Sequence, residues 1–137
     1  MDVSRYVLGL GLATFGALSG AMAAEPNLSA YQGAWLSSSL SCEEIFAPAA
    51  KGFSFRKPVN IFAPAFIISG NRLRTPQASC RIKSIKPAGD RQVLTLGCAN
   101  SVSANDVTVQ MAPGSDGLKR FFNDQDKTGS LYTRCDR

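Results

Sequence analysis

Apolar and polar positions divide the chain into two regimes. Residues 6–18 are apolar or small throughout. Beyond residue 30 the apolar positions are short and alternate with polar ones. Phe53 and Phe55 alternate with Ser54 and Arg56, and Val107, Val109 and Met111 alternate with Thr108 and Gln110. A period of two is the signature of a strand with one buried face. Residues 32–39 fit a first strand. Phe66-Ile67-Ile68 runs into Ser69-Gly70-Asn71 and resumes at Leu73, which reads as a hairpin. Gly117 opens a strand through Leu118 and Phe122, and residues 131–134 make the last one. Gly, Asn, Asp and Pro separate these runs. The pattern predicts a mostly β fold: a small antiparallel meander closing into a barrel or two-layer sandwich, since closure protects sheet edges.

One departure from strand patterning stands near the start. Ser41-Cys42-Glu43-Glu44 has the spacing of a capping box, with the Ser41 hydroxyl and the Glu44 carboxylate each satisfying a backbone NH of the other. It predicts one short helix near residues 42–47, stopped by Pro48.

The first apolar stretch has a different meaning. Arg5 precedes it, and Ala21-Met22-Ala23 follows with small residues at the two positions a signal peptidase inspects. This is a secretory leader pattern, and the stretch is short for a bilayer-spanning helix. Residues 1–23 are expected to be a signal peptide and residues 24–137 a single domain in the periplasm or the medium. No transmembrane segment is expected after cleavage, because the best later candidate, residues 61–68, is short and contains Pro64.

All four cysteines fall in the expected mature part: Cys42, Cys80, Cys98 and Cys135. In a small exported domain an even number reads as a disulfide framework. Cys80 and Cys98 lie symmetrically about Ala88-Gly89-Asp90, a good turn. Folding that hairpin sets Cys80 opposite Cys98, Ile82 opposite Leu96, Lys83 opposite Thr95 and Ser84 opposite Leu94. The expected bridges are therefore Cys80–Cys98 and, by elimination, Cys42–Cys135.

The chain has no histidine. That excludes nucleophiles activated by its own histidine and removes the usual ligands of catalytic zinc. No C-x-x-C, Gly-x-Ser-x-Gly, Walker or dinucleotide-binding sequence occurs. Asp124-x-Asp126-x-Thr128-Gly129 resembles the opening of a calcium loop, but its twelfth position is Cys135 where a bidentate glutamate is required. It is read as a polar turn. Adjacent Glu43 and Glu44 do not converge on one bond as paired catalytic carboxylates must. No catalytic residue, metal or cofactor is implied, and the chain is read as a non-enzyme. Trp35 and the phenylalanines at 53, 55, 62 and 66 are read as core.

Charge supplies the positive signal. Lys51, Arg56, Lys57, Arg72, Arg74, Arg81, Lys83, Lys86 and Arg91 fall in one window with Asp90 as the only acid, while the rest of the expected mature chain is net acidic. Arg81 and Lys83 share the outward face under the register above. Arg72, Arg74, Arg81, Lys83 and Lys86 are the candidate binding residues of a basic face. The partner this suggests is an anionic envelope polymer, lipid headgroups, or a protein. Nucleic acid is not expected, since no aromatic residues interleave with these charges.

Gly33-x-Trp35, then Cys42, Ile68-x-Gly70, Cys80-Arg81-Ile82-Lys83, Cys98 and Tyr132-x-Arg134-Cys135 form a layout. It resembles small exported four-cysteine β proteins of proteobacteria, which are functionally uncharacterised as a group. The resemblance implies export and disulfides and brings no activity. Gly33, Trp35 and Cys42 are also similar to the first strand of bacterial inhibitors of secreted metalloproteases, in which a flexible N-terminal segment enters the protease cleft. Residues 24–30 would be that segment here. The expected function is an exported binding module. Alternatives are an inhibitor of a secreted or periplasmic hydrolase and an enzyme relying on carboxylates alone.

Overall fold

The computed structural model describes residues 27–37 and 39–136. The expected leader, residues 1–23, lies outside the described residues. Ten strands form: β1 (Gly33–Leu36), β2 (Phe46–Ala49), β3 (Gly52–Phe55), β4 (Ala65–Ser69), β5 (Arg72–Arg74), β6 (Ser79–Ala88), β7 (Arg91–Ala99), β8 (Ala104–Gly114), β9 (Gly117–Phe121) and β10 (Ser130–Cys135). Eight of them close an antiparallel barrel in the order β1-β10-β9-β8-β7-β6-β5-β4, and β2 and β3 pair separately as a hairpin. β1 is the closing strand, pairing with β4 on one side and β10 on the other. It is shorter than the expected 32–39.

Alternation fills the interior. Trp35, Phe66, Ile68, Leu73, Ile82, Leu94, Leu96, Met111, Leu118 and Tyr132 point inward and form one buried cluster. A short 3-10 turn, Ser29–Tyr31, precedes β1 and adds Leu28 and Tyr31 to that cluster. The Trp35 indole NH donates to the Tyr31 carbonyl at 2.9 Å, and the Tyr31 hydroxyl donates to the Gln92 side chain. Burial pushes the Tyr31 phenol up to about 12. Of the expected free segment 24–30, residues 24–26 lie outside the described residues. Leu28 is buried and Ser29 is bonded to Asn27, so that part of the segment is anchored rather than free.

The run Ala65-Phe66-Ile67-Ile68 is apolar without alternation because both faces of β4 are covered. Phe66 and Ile68 face the interior, while Ala65 and Ile67 join a second cluster outside the barrel with Ala34, Leu36, Ile45, Phe46 and Cys135. The β2–β3 hairpin supplies the cover. Phe46 packs on Phe53 and Phe55, with ring centroids 6.1 and 5.7 Å apart. The disulfide Cys42–Cys135 straps this layer to the barrel, and Cys80–Cys98 bridges β6 and β7. Both bridges are those expected.

Three local expectations need correction. The helix is a single turn, α1 (Cys42–Ile45), and the Ser41 side chain makes no capping bond; the Glu44 NH reaches the Ser41 carbonyl at 3.2 Å instead. The chain passes directly from α1 into β2, so Pro48 lies inside β2, which has β3 as its one partner, an edge position that tolerates proline. In the β6–β7 hairpin, Cys80, Arg81 and Ile82 pair with Cys98, Gly97 and Leu96, after which the register shifts. Lys83 is the extra residue of a bulge, so Ser84 opposes Thr95 and Ile85 opposes Leu94. The bulge puts Ile85 against the core where the unbulged register would have put Ser84. Finally, Phe62 is 84% exposed and is not core.

Candidate functional site

The five candidate basic residues do not form one uniform patch. Arg72 on β5 and Arg81 on β6 are direct cross-strand partners and both are exposed. Their row continues across the outside of the barrel to Gly97 on β7 and Asp106 on β8. The next row reads Arg74, Ser79, Ala99 and Ala104. Small side chains on β6, β7 and β8 thus sit beside two large cationic ones. The result is an open depression of about 500 Å³ lined by Asn71, Arg72, Ser79, Cys80, Arg81, Gly97 and Ala99. A second hollow of about 530 Å³ shares Gly97 and Ala99 and extends it toward Asn105 and Asp106.

Gly97 sets the depth of this trough. A Cβ there would lie 2.8 Å from the Lys83 Cε, so a side chain would displace the flexible end of the lysine that crosses over it. Lys83 uses that path to reach Asp106, donating to both carboxylate oxygens at 2.8 and 3.0 Å. Its charge is therefore matched within the protein.

Arg74 is also occupied. Its guanidinium donates to the Phe53 carbonyl at 3.2 Å and ties the β2–β3 layer to the barrel. Lys86 lies roughly 17 Å beyond Arg81 along β6, at about 3.3 Å per residue. Arg91, counted in the basic window, is buried. It donates to the Asp90 and Gln110 side chains and to the Asn123 and Asp126 carbonyls, and it stacks 3.6 Å over the Phe121 ring. The Arg91 bond holds the Asp90 carboxyl below its ordinary value.

Arg72 and Arg81 remain. Arg72 makes one long bond, 3.4 Å, to the Ser79 hydroxyl. The Arg81 side chain has no hydrogen-bond or ion-pair partner among the described residues. Like charges directly opposite on neighbouring strands are unfavourable, by about 0.2–1 kcal/mol. An oxyanion between two guanidinium forks removes that repulsion and uses their paired NH donors.

The aspartate-rich loop is closed upon itself. One Asp126 oxygen accepts from the Thr128 and Gly129 NH groups at 3.1 and 2.9 Å, and the other from the Phe122 NH at 3.0 Å. These bonds hold its carboxyl below the ordinary value. No group of three or more His, Cys, Asp or Glu residues suited to a metal ion occurs among the described residues.

The sequence marked Arg72 and Arg81 but not the floor beside them. Gly97 inside a strand was the available signal, since glycine there marks a close approach. Nothing in the sequence paired Lys83 with Asp106, because that contact depends on the bulge and the β7–β8 register together.

No family model matches the chain, and none of the curated proteins or solved structures matches it either.

Proposed function

We propose that the chain is an exported binding module that engages an anionic component of the cell envelope at the Arg72–Arg81 trough. The observation that carries this reading is the arginine pair itself: two exposed guanidinium groups on facing positions, without an acidic partner among the described residues, beside a floor of small side chains. Phosphate or carboxylate groups fit such a pair by charge and by donor geometry. Export is supported by the leader pattern of residues 1–23 and by two disulfides, which persist in oxidising compartments. The likeness to small exported four-cysteine proteins agrees with this placement and adds no activity.

The test is retention of the oxidised protein on isolated envelope material at low and high salt, beside the double variant Arg72→Glu, Arg81→Glu. Exposed charges are screened within about 8 Å at physiological ionic strength, so binding should fall steeply as salt rises. The variant should not be retained. Retention that ignores both salt and the two arginines would refute the anionic site and favour the hydrolase-inhibitor reading.

A further inference from the structure

Connections in an antiparallel barrel alternate between its two ends. One rim carries the turns after β4, β6 and β8, at residues 70–71, 89–90 and 115–116, made of Gly, Asn, Ser and Asp. The other rim carries the longer segments 56–64, 75–78, 100–103 and 122–129. Exposed large apolar residues collect there. Phe62, Val102 and Phe122 are 84%, 88% and 92% exposed, and Ile61 and Val59 share the first segment. Isolated exposed apolar residues are ordinary, but their gathering on one rim with none on the other among the described residues is not.

The backbone that carries these side chains is tied down. The Phe62 NH donates to the Asn60 side chain at 3.1 Å, the Val102 NH to the Asn100 side chain at 2.8 Å, and the Phe122 NH to the Asp126 carboxylate at 3.0 Å. Gln77 bonds the Ile61 carbonyl at 2.7 Å and joins two of the segments. Each apolar tip therefore projects from a closed turn.

The charge beside this rim is cationic on balance. Arg74 ends β5 and Ser79 begins β6 at that rim, so the Arg72–Arg81 pair lies two residues from it, and Arg72 also directly follows the 70–71 turn of the other rim. Lys57 and Lys127 lie in its segments. Of the nearby carboxylates Asp106 is paired with Lys83, while Asp126 accepts from backbone NH groups and Asp124 from the Gln110 amide and both keep their charge. Glu43 and Glu44 sit on α1, where the Arg56 guanidinium donates to the Glu43 carbonyl and the Arg56 NH to the Ile45 carbonyl at the start of segment 56–64.

Separate apolar tips above a cationic face match an anionic bilayer. Apolar side chains enter the boundary between headgroups and acyl chains while basic groups meet the phosphates, and the two contributions add. A folded protein partner would instead favour a contiguous apolar patch. We infer that the barrel docks by its long-loop rim on an anionic phospholipid bilayer, with Phe62, Val102 and Phe122 entering the interface and Arg72 and Arg81 holding lipid phosphates. This rests on the anionic-site reading and names its source.

The test is co-sedimentation of the oxidised protein with vesicles of phosphatidylcholine containing phosphatidylglycerol, and with phosphatidylcholine alone. Pyrophosphate binding is measured in parallel as the soluble probe of the arginine pair. Binding should require phosphatidylglycerol. The double variant Phe62→Ser, Phe122→Ser should bind vesicles about tenfold more weakly or worse and bind pyrophosphate like the parent. Both positions are exposed, so folding should be unaffected. The emission of a Phe62→Trp variant should shift to the blue on the mixed vesicles. Vesicle binding unaffected by the phenylalanine changes, or emission that does not shift, would overturn membrane docking and leave the anionic site standing if pyrophosphate still binds. Pyrophosphate binding indifferent to Arg72→Glu, Arg81→Glu would overturn the anionic site itself.

Discussion

Arg91 is the one buried charged residue among those described, and its guanidinium holds a whole loop. It serves two carbonyls of segment 122–129 and covers Phe121, which Gly129 approaches from within the same segment. Replacing it with alanine leaves those carbonyls without a donor and should cost about 2–3 kcal/mol, read as a fall in the urea unfolding midpoint. Arg91→Lys should recover little of this, since one ammonium cannot span four acceptors in a plane. An unchanged midpoint in the alanine variant would contradict the anchoring role. Asp126 makes a second prediction. Its carboxyl is held below the ordinary value of 3.8, so its contribution is complete above that pH and lost as pH falls through the lower folded value. The protection of the Phe122 and Gly129 amides, measured relative to the intrinsic exchange rate at each pH, should therefore fall on acidification, and Asp126→Asn should remove the dependence. Sequence reading reached the bland identity of that loop, because a missing twelfth ligand is visible in the residues. It misplaced Arg91, because the acceptors that bury it lie over 30 residues away.

Strands were legible in turn chemistry at β4 and β5, which form the expected hairpin, and in sequence alternation at β8, although there Val107 is exposed and Met111 is the one buried residue. β4 does not alternate, because the β2–β3 hairpin covers its outer face, and no periodicity announces that cover. The Cys80–Cys98 pairing followed from the symmetry of its hairpin. The bulge at Lys83 did not, since one extra residue in β6 is compensated by one residue fewer in the turn, where Ala88 pairs with Arg91. The two bridges should differ in strength. By loop-closure entropy, removing Cys42–Cys135, with a sequence separation of 93, should cost about 4–5 kcal/mol. Removing Cys80–Cys98, with a separation of 18, should cost about 3 kcal/mol. Paired Cys→Ala variants compared by urea unfolding check the order, and the reverse order would contradict the strap role of Cys42–Cys135.

At the scale of the whole molecule, closure determines where charge can act. A meander of this composition was expected to close, and the eight-stranded barrel does so with its interior filled by side chains. Chemistry is left to the outside. The basic window suggested a broad cationic face, but closure divides it. Arg91 turns inward beneath a loop, Arg74 and Arg56 tie down the β2–β3 layer, Lys83 meets Asp106, and Lys51, Lys57 and Lys86 stand apart, leaving Arg72 and Arg81 as the facing pair over a shallow floor. Which cations survive as available charge depends on the register across four strands, and one-dimensional spacing does not carry that information. The anion site at this pair is tested by backbone amide chemical shifts of the oxidised protein titrated with pyrophosphate. Saturable shifts are expected, centred on Asn71, Arg72, Ser79, Arg81, Gly97 and Ala99 and weakening with added salt. Saturable shifts centred elsewhere on the barrel, or none at low salt, would contradict it.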